Sequence, residues 1–146
     1  MKMVKNIAIV ACAASFMFAN VSFHMGNNYS GLDAAAPTVT ESYGVSYALN
    51  GTTSVGFDSH LGMLMTFGVG NASLRMGWTA AVAEVVDANT GAVITPAEDA
   101  STSIGLGFTW WTGGDGFNTS ISTNYDLVGT GADSDGNLSM VVGFGF

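Results

Sequence analysis

The final ten residues, Asn137 to Phe146, read NLSMVVGFGF and set Leu138, Met140, Val142, Phe144 and Phe146 at every second position, with Ser139, Val141, Gly143 and Gly145 between them. A period of two marks a β-strand, whose successive side chains point to opposite faces. The strand has one apolar face and ends the chain on an aromatic residue. In water, an exposed sheet edge carrying two aromatics invites aggregation. A chain ending this way must close that edge or place its apolar face out of water.

The same period runs back through the sequence in segments separated by turn residues. From Asn20 to Tyr29 the odd positions Val21, Phe23, Met25 and Tyr29 are apolar, and from Ser42 to Leu49 the same parity gives Tyr43, Val45, Tyr47 and Leu49. Asn50-Gly51 follows, a strong hairpin signal. Thr52 to Asp58 offers Val55 and Phe57, and His60 to Gly70 offers Leu61, Met63, Met65, Phe67 and Val69. Ser73 to Val86 carries Leu74, Met76, Trp78, Ala80 and Val82; Ser101 to Trp111 carries Ile104, Leu106, Phe108 and Trp110; Phe117 to Val128 carries Phe117, Ile121, Tyr125 and Leu127. With the terminal segment these make eight strands, of which Thr52 to Asp58 is short for a crossing strand.

The opposite parity is small or polar, with Ser42, Gly44, Ser46, Gly56, Thr66, Arg75, Gly77, Gly105, Gly107, Ser120, Ser122, Asn124, Asp126 and Gly143 on it. A soluble sandwich or lipocalin-type barrel would turn its apolar parity inward and dress the other face in Lys, Glu and Arg. That face has almost none here. The methionines Met25, Met63, Met65, Met76 and Met140 all sit on the apolar parity. Connections alternate as well: Ser30 to Glu41, Asp87 to Ala100 and Gly129 to Gly136 are long, while those at Asn50, Asn71 and Gly114 are short. Only the tight link at Asp58-Ser59-His60 breaks the alternation.

Composition agrees, since 48% apolar and only 10% charged residues make a poor water-facing surface for one domain of 146 residues. The basic residues are Lys2, Lys5 and Arg75, against eleven acids. If the N-terminus is removed a single Arg faces eleven acids, so nucleic acid is effectively excluded as a partner. Acidity of this kind fits solvation in salty surroundings, divalent-cation binding, or loops held away from other anions.

Residues 1–19, MKMVKNIAIVACAASFMFA, place two lysines before a short apolar run, the plan of a secretory signal peptide, with cleavage expected near Ala19 and residues 20–146 forming one barrel domain. Cys12, the single cysteine, is expected to leave with the signal. The alternative is that Ile9 to Cys12 resembles a lipoprotein lipobox, with Cys12 acylated.

On the closing VVGFGF, the period-two strands, the loop alternation and the signal-like start, the whole mature chain resembles the small eight-stranded outer-membrane barrels of the OmpX and OmpA transmembrane-domain type. The resemblance is architectural. It implies an all-β, eight-stranded antiparallel up-and-down transmembrane β-barrel in a bacterial-type outer membrane. Its expected partners are outer-membrane lipid and, through a C-terminal strand marked by Phe144 and Phe146, the barrel-assembly machinery.

Arg75 stands on the inward parity with Asp58 and Asp126, and an unpaired charge there would be costly, so a structural ion pair with one of the two is expected. His24 and His60 form no constellation that spacing supports, and no enzyme activity is expected. Asp133-Ser134-Asp135-Gly136-Asn137 alternates oxygen ligands around a glycine but lacks the distant Glu of an EF-hand. It reads as a flexible acidic loop, with weak divalent-cation binding the alternative and no cofactor expected. Tyr43, Trp110, Trp111, Phe117, Tyr125 and Phe146 lie near strand ends, where interfacial aromatics gather. The function expected is a structural or surface-interaction role, against two alternatives: a narrow channel or small-ligand binder, and a soluble secreted β-protein.

Overall fold

The computed structural model describes residues 20–113, 116–129 and 134–146; the expected signal, its cleavage point and Cys12 lie outside them. Eight strands close a barrel: β1 (Val21–Ser30), β2 (Thr38–Ala48), β3 (Thr53–Asp58), β4 (Gly62–Val69), β5 (Ala72–Thr79), β8 (Ser101–Gly113), β9 (Asn118–Val128) and β10 (Asp135–Gly145). Each pairs antiparallel with its chain neighbour in the barrel, and β1 pairs with β10 to close it. The fold is an all-β, up-and-down eight-stranded barrel.

The closing seam is built from the terminal strand. Phe23 faces Phe144 across the β1–β10 ladder, and beyond it the Asn20 amide donates to the Phe146 carbonyl at 2.9 Å while the Phe146 amide donates to the Val21 carbonyl at 3.1 Å. Outside the wall, Phe146 meets Phe23 and Phe117 edge-on, with ring centroids 6.5 and 5.4 Å apart, and Phe117 stacks on Phe144 at 6.3 Å. Each such pair contributes about 0.5–1.5 kcal/mol beyond its buried area. Phe117→Ala, which touches both terminal aromatics, is therefore expected to lower the urea midpoint of refolded barrel more than Phe108→Ala, whose one aromatic partner among the described residues is Trp110.

Stagger sets the tilt. The ladder passes from Tyr29 through Leu138, Tyr125, Leu106, Leu74, Phe67 and Thr53, and returns to β1 about ten residues below its start, which for eight strands means a tilt of roughly 40°. Short connections (49–52, 70–71) and the chain end gather at one rim, and longer ones (31–37, 80–100) at the other.

Three elements differ from the spacing. β2 starts at Thr38, four residues before the expected Ser42, because Thr38 to Glu41 pair with β1 without an apolar alternation to announce them. Leu61, on the apolar parity, is buried rather than outward. Gly62 takes φ +69° and both Gly62 and Met63 oppose Trp78, and one extra residue reverses the facing of everything before it. The expected strand from Ser73 to Val86 is divided: β5 stops at Thr79, and beyond it lies a hairpin of β6 (Val85–Val86) and β7 (Val93–Thr95) where a loop from Asp87 to Ala100 was expected. The barrel's register runs on into the hairpin as far as Val85, beyond which it shifts. Thr79 pairs with Ser101, Val82 with Glu98 and Val85 with Thr95, so the β5–β8 ribbon continues about 20 Å past the last barrel pair.

Candidate functional site

The barrel interior holds most of the chemistry. An ion pair and a histidine–carboxylate hydrogen bond lie in it, and both are built the same way. His24 of β1, Gly44 of β2 and Asp58 of β3 are register partners in one row, as are Arg75 of β5, Gly105 of β8 and Asp126 of β9. The middle residue has no side chain, so the outer two reach each other over its backbone. His24 Nε2 lies 2.9 Å from Asp58 Oδ2, and Arg75 Nε donates to Asp126 Oδ1 at 3.1 Å. A Cβ on Gly44 would strike the His24 ring, and one on Gly105 would strike the Asp126 carboxylate.

Of the three residues expected to share an interior ion pair, the structure brings Arg75 and Asp126 together and gives Asp58 to His24 instead. Asp58 does a second task. Its Oδ1 accepts the backbone amides of His60 at 2.8 Å and Leu61 at 3.1 Å, which holds the tight turn after β3 closed. His60 Nε2 reaches back to the Glu41 carbonyl at 2.8 Å. The one short connection on the long-loop rim is thus pinned from the interior. Asp58→Asn, which weakens both the His24 hydrogen bond and the turn, is expected to raise amide hydrogen exchange at His60 and Leu61 at least tenfold while leaving exchange at Asn71 unchanged; equal change at all three would contradict this arrangement.

Sequence reasoning missed His24 as the partner of Asp58. The signal was a glycine opposite both, visible only once two registers are known. Near this level Asn124 Nδ2 donates to Ser139 Oγ at 3.0 Å, and Leu61, Leu64 and Val141 are buried.

The other half of the interior is open. A cavity of about 330 Å³ is lined by His24, Ser54, Leu64, Thr66, Ser73, Arg75, Ser122, Asn124 and Val141 and runs to Trp111 and Asn118 at the short-turn rim. It shares Ser54, Thr66, Ser73 and Trp111 with a second space of about 460 Å³ bounded by the turns at Asn50 and Asn71. Trp111, expected in an interfacial belt, stands at this mouth. Asp126, Ser103 and Ser139, toward the long-loop rim, are buried and line neither space. The lumen is a vestibule ending in the layer of paired charges.

Outside the barrel, the ribbon is the second candidate. Val82, Val85, Val86, Val93 and Ile94 are all exposed on it, among the acids Glu84, Asp87, Glu98 and Asp99 and no base. Its tip is ordered: Asp87 Oδ1 accepts the Asn89 amide at 2.7 Å and the Thr90 amide at 3.0 Å, and Gly91 turns the chain at φ +69°. Those amides hold the Asp87 carboxyl below its ordinary pKa. A depressed carboxylate stabilises the turn above its unfolded pKa, and that stabilisation is lost as pH falls through the folded value. Relative to the intrinsic exchange rate, which itself slows in acid, the protection of the Asn89 and Thr90 amides is expected to fall on acidification into that range before that of the barrel strands does.

Asp133 lies outside the described residues, and Asp135 opens β10. Comparison with family models, characterised proteins and solved structures finds no match to this chain.

Proposed function

We propose that this chain is an outer-membrane β-barrel of the OmpX and OmpA transmembrane-domain type, with a structural or surface-interaction role and no catalytic one. The observation that carries the reading is the inversion of burial. Among the described residues, nine polar or charged side chains are buried against four hydrophobic ones, while Met25, Tyr43, Leu106, Phe108, Trp110, Ile121 and Met140 are each about half or more exposed on the outer wall. In water that arrangement forfeits the hydrophobic driving force of folding. In lipid it is what a closed barrel requires, because every ladder group is paired and the outside is apolar.

Dimensions support the same reading. An 11-residue strand such as β9, tilted by roughly 40°, rises about 27 Å, close to the apolar band of such barrels. Tyr29, Tyr43, Trp78 and Tyr125 lie toward one rim, and Phe23, Tyr47, Trp110, Phe117, Phe144 and Phe146 toward the other, as two interfacial belts would. The terminal aromatics Phe144 and Phe146 then serve as the strand that the assembly machinery engages, with lipid the other partner.

The acidic ribbon supports the surface role, since it stands on the rim opposite the chain end and offers backbone edges and apolar side chains to whatever meets it. The vestibule ends in packed charge, so the reading predicts no conductance above background in planar bilayers. Its placement is tested by cysteine labelling. Ala88→Cys at the ribbon tip should react with a membrane-impermeant maleimide on intact cells, and Asn71→Cys only after the outer membrane is permeabilised. Equal labelling of both on intact cells would defeat the assignment.

A further inference from the structure

The polar groups facing the vestibule do not balance. Asp58 has both oxygens occupied, Oδ2 by His24 and Ser42 and Oδ1 by the His60 and Leu61 amides. Asp126 Oδ1 accepts a hydrogen bond from the Nε–H of Arg75. Among the described residues that is the whole of Arg75's hydrogen bonding, although a guanidinium has five N–H groups and this residue is 9% exposed. The terminal amino groups are left to the cavity that Arg75 lines. Beside it in register stands Thr66, and beside Thr66 stands Ser54, and neither hydroxyl bonds to another group among the described residues. Around Arg75 the unsatisfied groups are guanidinium donors and two hydroxyls that can donate as well as accept, while the unpartnered acceptor Asn118 Oδ1 lies away at the mouth, so an occupant beside Arg75 supplies acceptors.

We infer that this vestibule binds a short-chain monocarboxylate, its carboxylate on the free edge of the Arg75 guanidinium and its hydrocarbon end against Leu64 and Val141. A planar guanidinium edge matches a carboxylate with two parallel hydrogen bonds. One negative charge suits the place, because Asp126 and Asp58 stand nearby and a dianion would meet both. Leu64 and Val141 are each 7% exposed and line the same cavity, which a bare oxyanion would leave unfilled. A volume of about 330 Å³ admits an acid of a few carbons with some water. The site goes beyond the surface role proposed above and depends only on the barrel being folded.

Arg75 is the sole arginine of the sequence, so its Nε–H gives one side-chain resonance in a ¹H–¹⁵N spectrum. The test is to titrate uniformly labelled barrel, refolded in non-ionic micelles, with sodium butyrate against sodium chloride at constant ionic strength. A saturable shift of that resonance is expected below roughly 100 mM butyrate, the range of a weak small-ligand site. Butyramide and inorganic phosphate should give at most a tenth of the affinity. Thr66→Val should weaken butyrate about five- to tenfold, the value of one lost hydrogen bond. Leu64→Phe, which fills the apolar end, should abolish the response while the protein still runs as folded barrel; if that variant fails to fold, the Thr66→Val ratio decides. No saturable shift, an equal response to phosphate or butyramide, or an unchanged Thr66→Val affinity would each overturn the inference.

Discussion

Arg75→Leu is expected to lower the unfolding free energy of the refolded barrel by about 3–5 kcal/mol, read from urea titrations in lipid vesicles. The reason is what remains. Asp126, its side chain 3% exposed, would be left inside the wall with its Arg75 bond gone and no cation beside it. The pair itself adds little, because two ions give up hydration to form it. The double variant Arg75→Leu with Asp126→Leu should accordingly recover most of the loss. A single variant as stable as the parent would show the interior wet enough to solvate a lone carboxylate, and a double variant as weak as the single would show that Arg75 acts through contacts other than Asp126.

Gly105→Val should do comparable damage by a different route, about 3 kcal/mol or more. A Cβ at this position would lie 2.5 Å from the Tyr125 carbonyl oxygen and 2.8 Å from the Asp126 Cα, which are backbone atoms of the adjacent strand and not free to move aside. The substitution crowds the β8–β9 ladder and blocks the path by which Arg75 reaches Asp126. Gly44→Val should act likewise on His24 and Asp58. Gly51→Ala is the control, since nothing stands within 4 Å of its added carbon, and a change within about 0.5 kcal/mol is expected there. Were Gly105→Val and Gly51→Ala equally mild, the glycines would be incidental to these pairings.

Parity made the barrel legible in the sequence. Phe108, Trp110, Ile121 and Met140 all point outward in the structure, and Ser120, Asn124, Asp126 and Ser139 inward, as period two requires. What parity could not carry was a change of phase. Leu61 changed sides because one extra residue stands opposite Trp78, and nothing in Leu-Gly-Met marks a bulge until the strands are paired. The ribbon was obscured because Ala80, Ala81 and Ala83 are too small to show which face they favour, and Pro96 reads as a loop. The start of β2 was lost in Thr-Val-Thr-Glu for the same want of apolar contrast.

The interior site divides along the same line. That Arg75 faces inward with two acids followed from alternation along single strands. Which acid it meets depends on registers across three strands, and so did the pairing of His24 with Asp58. The vestibule was less legible still, because it arises where serines and threonines on β3, β4, β5 and β9 leave unfilled the space that their neighbours' larger side chains occupy toward the other rim.

The proposed placement of this closed barrel in an outer membrane is tested most directly by gel mobility of the washed membrane fraction with and without boiling. A closed eight-stranded barrel resists the detergent unheated and should migrate as a compact band that shifts on boiling, with Arg75→Leu and Gly105→Val losing the compact form at lower temperature. Recovery of the chain in the soluble fraction, or one mobility before and after boiling, would contradict it.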